Sequence, residues 1–220
     1  MGGRIMDITD KIIIPAPPAD LQFDEATHTY TYLGEVVPSV TQLLKFLPGN
    51  DYANVPENVL EKAAARGTAI HEGIEFYLQC GFDEVCDEWQ PYMDAFRKFW
   101  AGQENPSALA CEYPVYYADD TEEAKRLYGT GYAGTIDLIA SIGGQITLLD
   151  FKCTSKLYMK KYGLQLEAYS RALLQLGISV AQKIVVQLKP NGSFKAVTLP
   201  ALDDYSWAVF SALRTISNVY

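Results

Sequence analysis

The spacing of apolar residues divides the chain into a first half with helical periodicity and a second half rich in strand patterns. Between residues 56 and 102, apolar side chains recur at three- and four-residue steps, which predicts helices over 56–80 and 87–102. The period then falls to two, and β-branched and aromatic residues bounded by turn signals predict strands. The predicted strands cover 110–117, 134–142, 145–151, 183–189 and 193–199, and further helices are predicted over 162–176 and 203–219.

The N-terminal part of the chain carries shorter signals. The first twenty residues contain three prolines and no helical periodicity, which favours an extended arm. Residues 28–37 alternate around Gly34 and predict a small hairpin. Ser39 and Gln42 have the spacing of a capping box, so we expect a helix to begin there and to end at Pro48.

Length and composition favour one cytoplasmic domain. With 220 residues and 49% apolar composition, the chain can bury a substantial core. No stretch reaches the roughly 18 apolar residues of a membrane-spanning helix, and residues 1–21 lack the layout of a signal peptide. We therefore expect a cytoplasmic protein without a membrane partner. The four cysteines show no C-x-x-C spacing, so free thiols are expected and an iron–sulfur cluster is not.

Charge is distributed unevenly along the chain. The net charge of −9 taken alone argues against a nucleic-acid-binding protein. Residues 151–200, however, carry eight basic side chains and one acid, Glu167, which is a net charge of +7. Such a segment suits a polyanionic substrate, and a solvated helix and strand face is the alternative. The eight basic residues are Lys152, Lys156, Lys160, Lys161, Arg171, Lys183, Lys189 and Lys195.

Two aspartates stand on either side of a predicted tight turn. If Gly143 and Gly144 form a two-residue turn, the pairing continued outward places Asp137 opposite Asp150. Opposed carboxylates on a sheet are unfavourable unless a positive charge lies between them, which makes a divalent cation the candidate. Lys152 shares a strand face with Asp150 and is expected to stay protonated beside the carboxylates. A surface ion pair on a hairpin is the alternative.

A glycine motif before the first aspartate has the spacing of a dinucleotide fingerprint. Residues 129–134 match G-x-G-x-x-G, but that fingerprint requires a preceding strand and a following helix. Here an acidic loop is predicted at 119–123 before the motif, and a strand is predicted after it. We therefore expect the glycines to shape a mobile loop beside the site.

Four short motifs follow one another between about residues 60 and 175. They are Arg66-Gly-Thr-Ala-Ile-His71, Gly134-Thr-Ile-Asp137, Asp150-Phe-Lys152 and Gln165-Leu-Glu-Ala-Tyr169. In order, spacing and predicted context they resemble the PD-(D/E)XK nuclease superfamily, in particular its RecB-like and phage exonuclease branch. Ile136 departs from the superfamily pattern, which often has proline before the aspartate.

The resemblance implies the fold. It implies an α/β protein of α+β character with a restriction-endonuclease-like core, in which a central mixed β-sheet is flanked by helices. A hairpin and helices would be added at the N-terminus. We expect one domain over 1–220, made of an arm (1–21), a hairpin and helical part (22–105), a catalytic sheet core (106–200) and a C-terminal helix (201–220).

The resemblance also implies residue roles. His71, Asp137, Asp150 and the Phe151 backbone carbonyl would hold one or two Mg²⁺ or Mn²⁺ ions, with Lys152 as the catalytic lysine. Substrate contacts would come from side chains that can face the site, namely Arg66, Lys161, Gln165 and Tyr169. Glu112 precedes the hairpin where related enzymes place a further metal-binding acid, and its direction is left open by the sequence.

Each of these side chains has a structural alternative. A single histidine on a helix is more often structural than ligating. For Arg66 the alternative is an ion pair with Glu61 or Glu75. Gln165 and Tyr169 could be an exposed amide and a core phenol.

The function expected from the resemblance is a metal-dependent deoxyribonuclease, most simply an exonuclease of phage or recombination type. The alternative is a DNA-binding or recombination accessory protein that keeps the fold without cleaving. DNA is the expected partner, and a single-strand annealing or recombination protein and an oligomeric assembly remain open.

Overall fold

The computed structural model describes residues 12–47 and 55–219. Within these ranges the strands are β1 (Leu21–Asp24), β2 (Thr29–Tyr32), β3 (Glu35–Val37), β4 (Ser107–Ala118), β5 (Gly131–Ile142), β6 (Gln145–Lys152), β7 (Gln182–Leu188) and β8 (Phe194–Leu199). The helices are α1 (Val40–Leu43), α2 (Glu57–Cys80), α3 (Gln90–Ala101), α4 (Glu122–Tyr128), α5 (Met159–Gln175) and α6 (Asp204–Val219), and a 3₁₀ turn (Leu44–Phe46) follows α1.

The strands form two separate sheets. Strands β1, β2 and β3 make a small antiparallel sheet. Strands β4 to β8 make a five-stranded mixed sheet in sequence order, in which only β6 and β7 are parallel. Helix α5 supplies the crossover that a parallel pair requires. The chain is therefore an α/β protein with a mixed sheet flanked by helices.

Helices cover both faces of the five-stranded sheet. One face packs against α1, α5 and α6 through an apolar cluster that includes Leu43, Leu166 and Phe210. The other face packs against α2 and α3 through a second cluster that includes Ile70 and Phe96. Because the sheet is covered on both sides, the middle strands are apolar on both faces, as in other buried sheets.

The sequence predicted most of these elements. The four long helices and the five strands of the large sheet are confirmed within a few residues at their ends. The capping box is also confirmed: Ser39 Oγ accepts from the Gln42 amide at 3.1 Å, and Gln42 Oε1 accepts from the Ser39 amide at 2.9 Å. The helix that it begins is only one turn long before the 3₁₀ turn takes over.

Several expectations for the connecting segments were wrong or cannot be compared. Strand β1 was not predicted. The acidic segment at 119–123 was expected to be a loop, but Glu122 and Glu123 begin α4, where Thr121 accepts from the Ala124 amide as an N-cap. In the predicted arm, residues 12–20 form neither helix nor strand. The rest of the arm, and the helix end at Pro48, lie outside the described residues.

The predicted tight turn is confirmed. Gly143 and Gly144 have φ of +57° and +76°, a left-handed pair that suits the two-residue hairpin turns of antiparallel strands. The pairing runs from Ile142 opposite Gln145 to Leu138 opposite Leu149.

Among the described residues, no helix combines the length and the hydropathy that crossing a membrane requires.

A buried charge network joins α5 to β7 and to the start of α6. Glu167 is fully buried, and its carboxylate accepts from Lys183, which is also buried, and from Arg171 at 2.7 Å. The Asp203 amide donates to the same carboxylate at 3.0 Å. Buried charges are tolerated when they are paired in this way, and removing one partner leaves the other uncompensated.

We expect Glu167→Ala to lower the free energy of unfolding by about 3–5 kcal/mol, because Lys183 would remain buried without its partner. Urea unfolding at neutral pH measures this. The matched control is Glu88→Ala, which removes an exposed pair with Lys62 and should change stability by less than about 0.5 kcal/mol. Equal losses for the two variants would contradict a structural role for the network.

Candidate functional site

Two carboxylates face each other across strands β4 and β5. They belong to Glu112 and Asp137. The residues next to them on both sides are paired across the two strands, namely Cys111 with Leu138 and Tyr113 with Ile136. Glu112 is therefore the residue opposite Asp137. On the other side of β5, the pairing with β6 keeps the register that the sequence predicted, and its last pair, Leu138 with Leu149, comes one step before Asp137 and Asp150.

The regular alternation of the two strands breaks at this position. Residues two apart in a strand normally share a face. Here Cys111 and Leu138 pack with α2 and α3, whereas the next pair packs with α5 on the other face of the sheet. Glu112 has φ of +43°, a left-handed conformation that costs a residue other than glycine about 1–3 kcal/mol. The break and the strain coincide with the carboxylates.

His71 on α2 completes a cluster with these carboxylates. Its Nδ1 lies 3.4 Å from Glu112 Oε1, and its Nε2 lies 3.7 Å from Asp137 Oδ2. One ligand atom from each of the three residues lies within 4.8 Å of the others. The imidazole Nε2 is also 3.2 Å from the Phe151 carbonyl oxygen. Helix α2 holds His71 here because its neighbour Ile70 is buried against the sheet.

Asp150 and Lys152 lie beside this cluster. The residues flanking Asp150 on β6 both pack with α2 and α3, so Asp150 and Lys152 face α5. Lys152 Nζ donates to Asp150 Oδ1 at 2.6 Å and lies 5.1 Å from the centre of the Tyr162 ring. Asp150 Oδ2 is buried and has no hydrogen-bond partner. The Phe151 amide donates to Asp137 Oδ2 at 2.8 Å and so links the two groups.

The electrostatics of these groups are strongly coupled. Burial lowers the pKa of His71, but Asp137 and Glu112 outweigh it and raise that pKa to about 9. Burial raises the pKa of Asp150 to about 6, although Lys152 opposes the shift. Burial also disfavours the charged form of Lys152, yet Asp150 and Asp137 raise the lysine pKa above its ordinary value. Lys152 is therefore protonated at neutral pH.

Arg66 lies one turn before His71 on the same helix. Its Nη2 donates to the Cys153 carbonyl at 2.9 Å, and its guanidinium lies 5.3 Å from the centre of the Tyr92 ring. Its Nε is buried without a hydrogen-bond partner. Arg66 therefore packs against the strand end that carries Lys152, one residue from Cys153.

Gln165 and Tyr169 are both buried on α5, which differs from the alternative of an exposed amide. Gln165 Nε2 donates to the Tyr169 hydroxyl at 3.3 Å. A Cβ atom at Gly134 would lie 2.6 Å from the Tyr169 ring, so this position needs glycine for a close approach.

The glycine motif at 129–134 ends α4 and begins β5. It does not form the mobile loop that the sequence suggested.

Lys161 and Tyr30 add to the surroundings of the site. Burial lowers the pKa of Lys161, and the nearby charges of Lys152 and Lys45 lower it further. Tyr30 comes from the small sheet, and its hydroxyl lies 2.8 Å from Thr135 Oγ1 on β5. Sequence reasoning missed Tyr30, because only the tertiary packing of β2 against β5 brings it there. The alternating pattern of residues 28–37 was its only signal.

The donor set suits a hard divalent cation. Two carboxylates and an imidazole converge, and the Phe151 carbonyl lies next to the imidazole. Asp150 is not one of the three converging ligands, but its carboxylate interacts electrostatically with Asp137 and His71. Oxygen-rich sets of this kind favour Mg²⁺ or Mn²⁺, and the imidazole is better suited to Mn²⁺. The buried Asp150 Oδ2 is unfavourable without a partner, so a cation there would compensate an existing cost.

Comparisons with known proteins add little. No family model and no curated protein matches the chain. Among solved structures, the chain is similar to the crystal structure of SSO0001, with 18% identity and a TM-score of 0.37. That similarity covers 56% of this chain and 55% of the other chain. A likeness of this extent carries no argument about activity.

We expect Glu112→Gly to raise the free energy of unfolding by about 1 kcal/mol in a chelator, because glycine removes the left-handed strain at a small entropic cost. It also removes one of two facing carboxylates. Chemical unfolding of the metal-free protein measures the change. Glu75→Gly in the middle of α2 is the contrasting variant and should lose about 1 kcal/mol. Destabilisation by Glu112→Gly would contradict the strain argument.

Proposed function

We propose that the chain is a metal-dependent deoxyribonuclease with a restriction-endonuclease-like core, of the PD-(D/E)XK type. The observation that carries the proposal is the cluster of His71, Glu112 and Asp137 beside Asp150 and a protonated Lys152. Three of the four motifs that resemble the RecB-like branch supply these groups apart from Glu112, and the fourth motif supplies Gln165 and Tyr169. Their proximity supports a chemical rather than a structural reading of the motifs.

The proposed metal ligands are His71, Glu112 and Asp137, with the Phe151 carbonyl next to the imidazole and the Asp150 carboxylate interacting electrostatically with Asp137 and His71. The sequence left the direction of the Glu112 side chain open, and Glu112 is included here among the proposed metal ligands. One or two Mg²⁺ or Mn²⁺ ions bound here would neutralise phosphate charge and activate water. Without such an ion, the proton on His71 supplies the positive charge that the carboxylates need.

The protein side chains have separable roles in the proposed reaction. Lys152 places a fixed positive charge at the end of β6, where it stabilises negative charge that develops on a phosphate. Asp150 holds that ammonium through Oδ1. Arg66 offers a guanidinium that matches phosphate geometry. Tyr169, which accepts a hydrogen bond from Gln165, orders the neighbouring strand by packing against Gly134. These contacts are independent of base identity, so cleavage without sequence preference is proposed.

An exonuclease of phage or recombination type acting in the cytoplasm is the proposed form, with a recombination protein as a candidate partner. The alternative is an accessory protein that binds DNA without cleaving it. Cleavage itself separates the two.

We expect the wild type to degrade linear DNA in Mg²⁺ or Mn²⁺ and to leave closed circles intact. Lys152→Ala should lower the cleavage rate by about a hundredfold or more, because a charge aimed at the reacting phosphate is lost. Asp137→Asn should do the same while keeping an acceptor for the Phe151 amide. Lys125→Ala on α4 removes an exposed lysine and should retain the wild-type rate. Circular dichroism checks that each variant is folded.

The outcomes of this assay decide between the candidates. Cutting of closed circles would indicate an endonuclease. Binding of DNA without metal-dependent cleavage would overturn the enzyme proposal and favour the accessory protein. Cleavage that survives both Lys152→Ala and Asp137→Asn would place the chemistry elsewhere.

We expect Mn²⁺ to bind at this cluster and His71→Ala to weaken binding by at least about tenfold, since even outer-shell partners of a metal are worth about 10–100-fold. Titration calorimetry with Mn²⁺ measures the affinity. The chain has one other histidine, His28, an exposed loop residue with φ of +50°. Asparagine adopts a positive φ readily, so His28→Asn is the matched control, and its affinity for Mn²⁺ should equal that of the wild type. Equal affinities for wild type and His71→Ala would remove the histidine from the ligand set.

A further inference from the structure

A groove of about 990 Å³ lies beside the candidate site. Its walls come from the first turns of α2, from the segment that follows β6, and from the hairpin between β7 and β8. Arg66 and Cys153 are among its lining residues. Because Arg66 shares α2 with His71 and Cys153 follows Lys152, the groove adjoins the elements that carry the cluster.

The lining of the groove is basic. Arg66, Lys156, Lys189 and Lys195 line it, and among the lining residues that the structure describes there is no aspartate or glutamate. This contrasts with a chain whose net charge is −9. A groove that concentrates positive charge on an acidic protein attracts a polyanion to that place and not to the surface at large.

Several other basic residues of segment 151–200 are already paired with carboxylates elsewhere in the fold. Lys183 and Arg171 are committed to Glu167 in the buried network, and Lys152 is paired with Asp150. The basic residues of the +7 segment therefore do not form one continuous cationic face. Three of its eight basic residues line this groove instead.

The groove also has apolar and aromatic lining. Val59 and Leu60 on α2 are 51% and 37% exposed, and Tyr158 is 36% exposed. Lys156 Nζ lies 5.4 Å from the centre of the Tyr158 ring, so a cation and an aromatic face are presented together. Duplex DNA offers phosphates to a protein surface and keeps its base faces stacked, whereas a single strand offers both phosphates and base faces.

We propose that this groove binds a single DNA strand that leads to or from the candidate site. The phosphates contact Lys156, Lys189 and Lys195, and a base stacks on Tyr158. This inference rests on the proposed function for its choice of DNA, but binding in the groove needs no metal and no cleavage. It therefore can be tested separately.

The test measures binding in EDTA, where no metal-dependent cleavage takes place. Fluorescence anisotropy is recorded with a labelled oligothymidine strand, which lacks base-paired structure, and with a labelled duplex of the same length. We expect the wild type to bind the single strand more tightly. Tyr158→Ala should weaken single-strand binding by about fivefold or more, because stacking is lost, while Tyr158→Phe keeps the ring and should bind as wild type.

A second pair of variants tests the phosphate contacts. For single strands, the slope of log affinity against log salt concentration becomes less steep by about 0.7 for each lost phosphate contact. The double variant Lys189→Gln with Lys195→Gln should therefore reduce the magnitude of this slope by about 1.4. Arg126→Gln on α4 removes an exposed charge outside the groove lining and should leave the slope unchanged.

The results distinguish this inference from the proposed function. Unchanged single-strand affinity and salt slope in the groove variants, or no binding by the wild type, overturns the groove even if the wild type cleaves DNA. Equal losses for single strand and duplex also overturn it, since the groove would then hold a duplex. Groove-dependent single-strand binding by a protein that cleaves nothing supports the groove and overturns the nuclease.

Discussion

The convergence of carboxylates from three neighbouring strands, β4, β5 and β6, is the constraint on which the candidate site depends. Glu112 and Asp137 stand at facing positions, where like charges repel at a Cβ separation of about 5 Å. His71 lies between their side chains and carries the proton that offsets them. Asp150 has its own cation in Lys152. The three carboxylates thus have two side-chain cations beside them. Among the described oxygens of these carboxylates, only Asp150 Oδ2 is buried without a hydrogen-bond partner.

The fold meets this constraint by interrupting its own regularity. The alternation of β4 and β5 breaks where the carboxylates meet, and Glu112 adopts a left-handed backbone. Such strain persists only where the surrounding structure determines it. Here the flanking residues stay paired on both sides, and α2 is held against the sheet by Ile70 and Ile74. The site therefore rests on strands and a helix, with the irregularity confined to one position.

The charge of the chain acquires a different meaning in three dimensions. A net charge of −9 coexists with a groove whose described lining residues include four cations and no acid. Buried pairs such as Lys183 with Glu167 remove part of the basic segment from the surface. The basic side chains that line the groove lie among exposed apolar side chains and Tyr158. Position and pairing, and not the charge count, decide which surface suits a polyanion.

The sequence by itself determined the long helices, the five strands of the large sheet, the Gly143-Gly144 turn and the capping box at Ser39. These features follow from periodicity, turn chemistry and hydrogen bonding between residues that are close along the chain. It also singled out His71, Asp137, Asp150 and Lys152. Only the tertiary structure decided that Glu112 on β4 also stands opposite Asp137, and that Tyr30 lies beside β5. Strand alternation is local and predictable, but a backbone irregularity and the packing of separate sheets depend on contacts between residues far apart in the sequence.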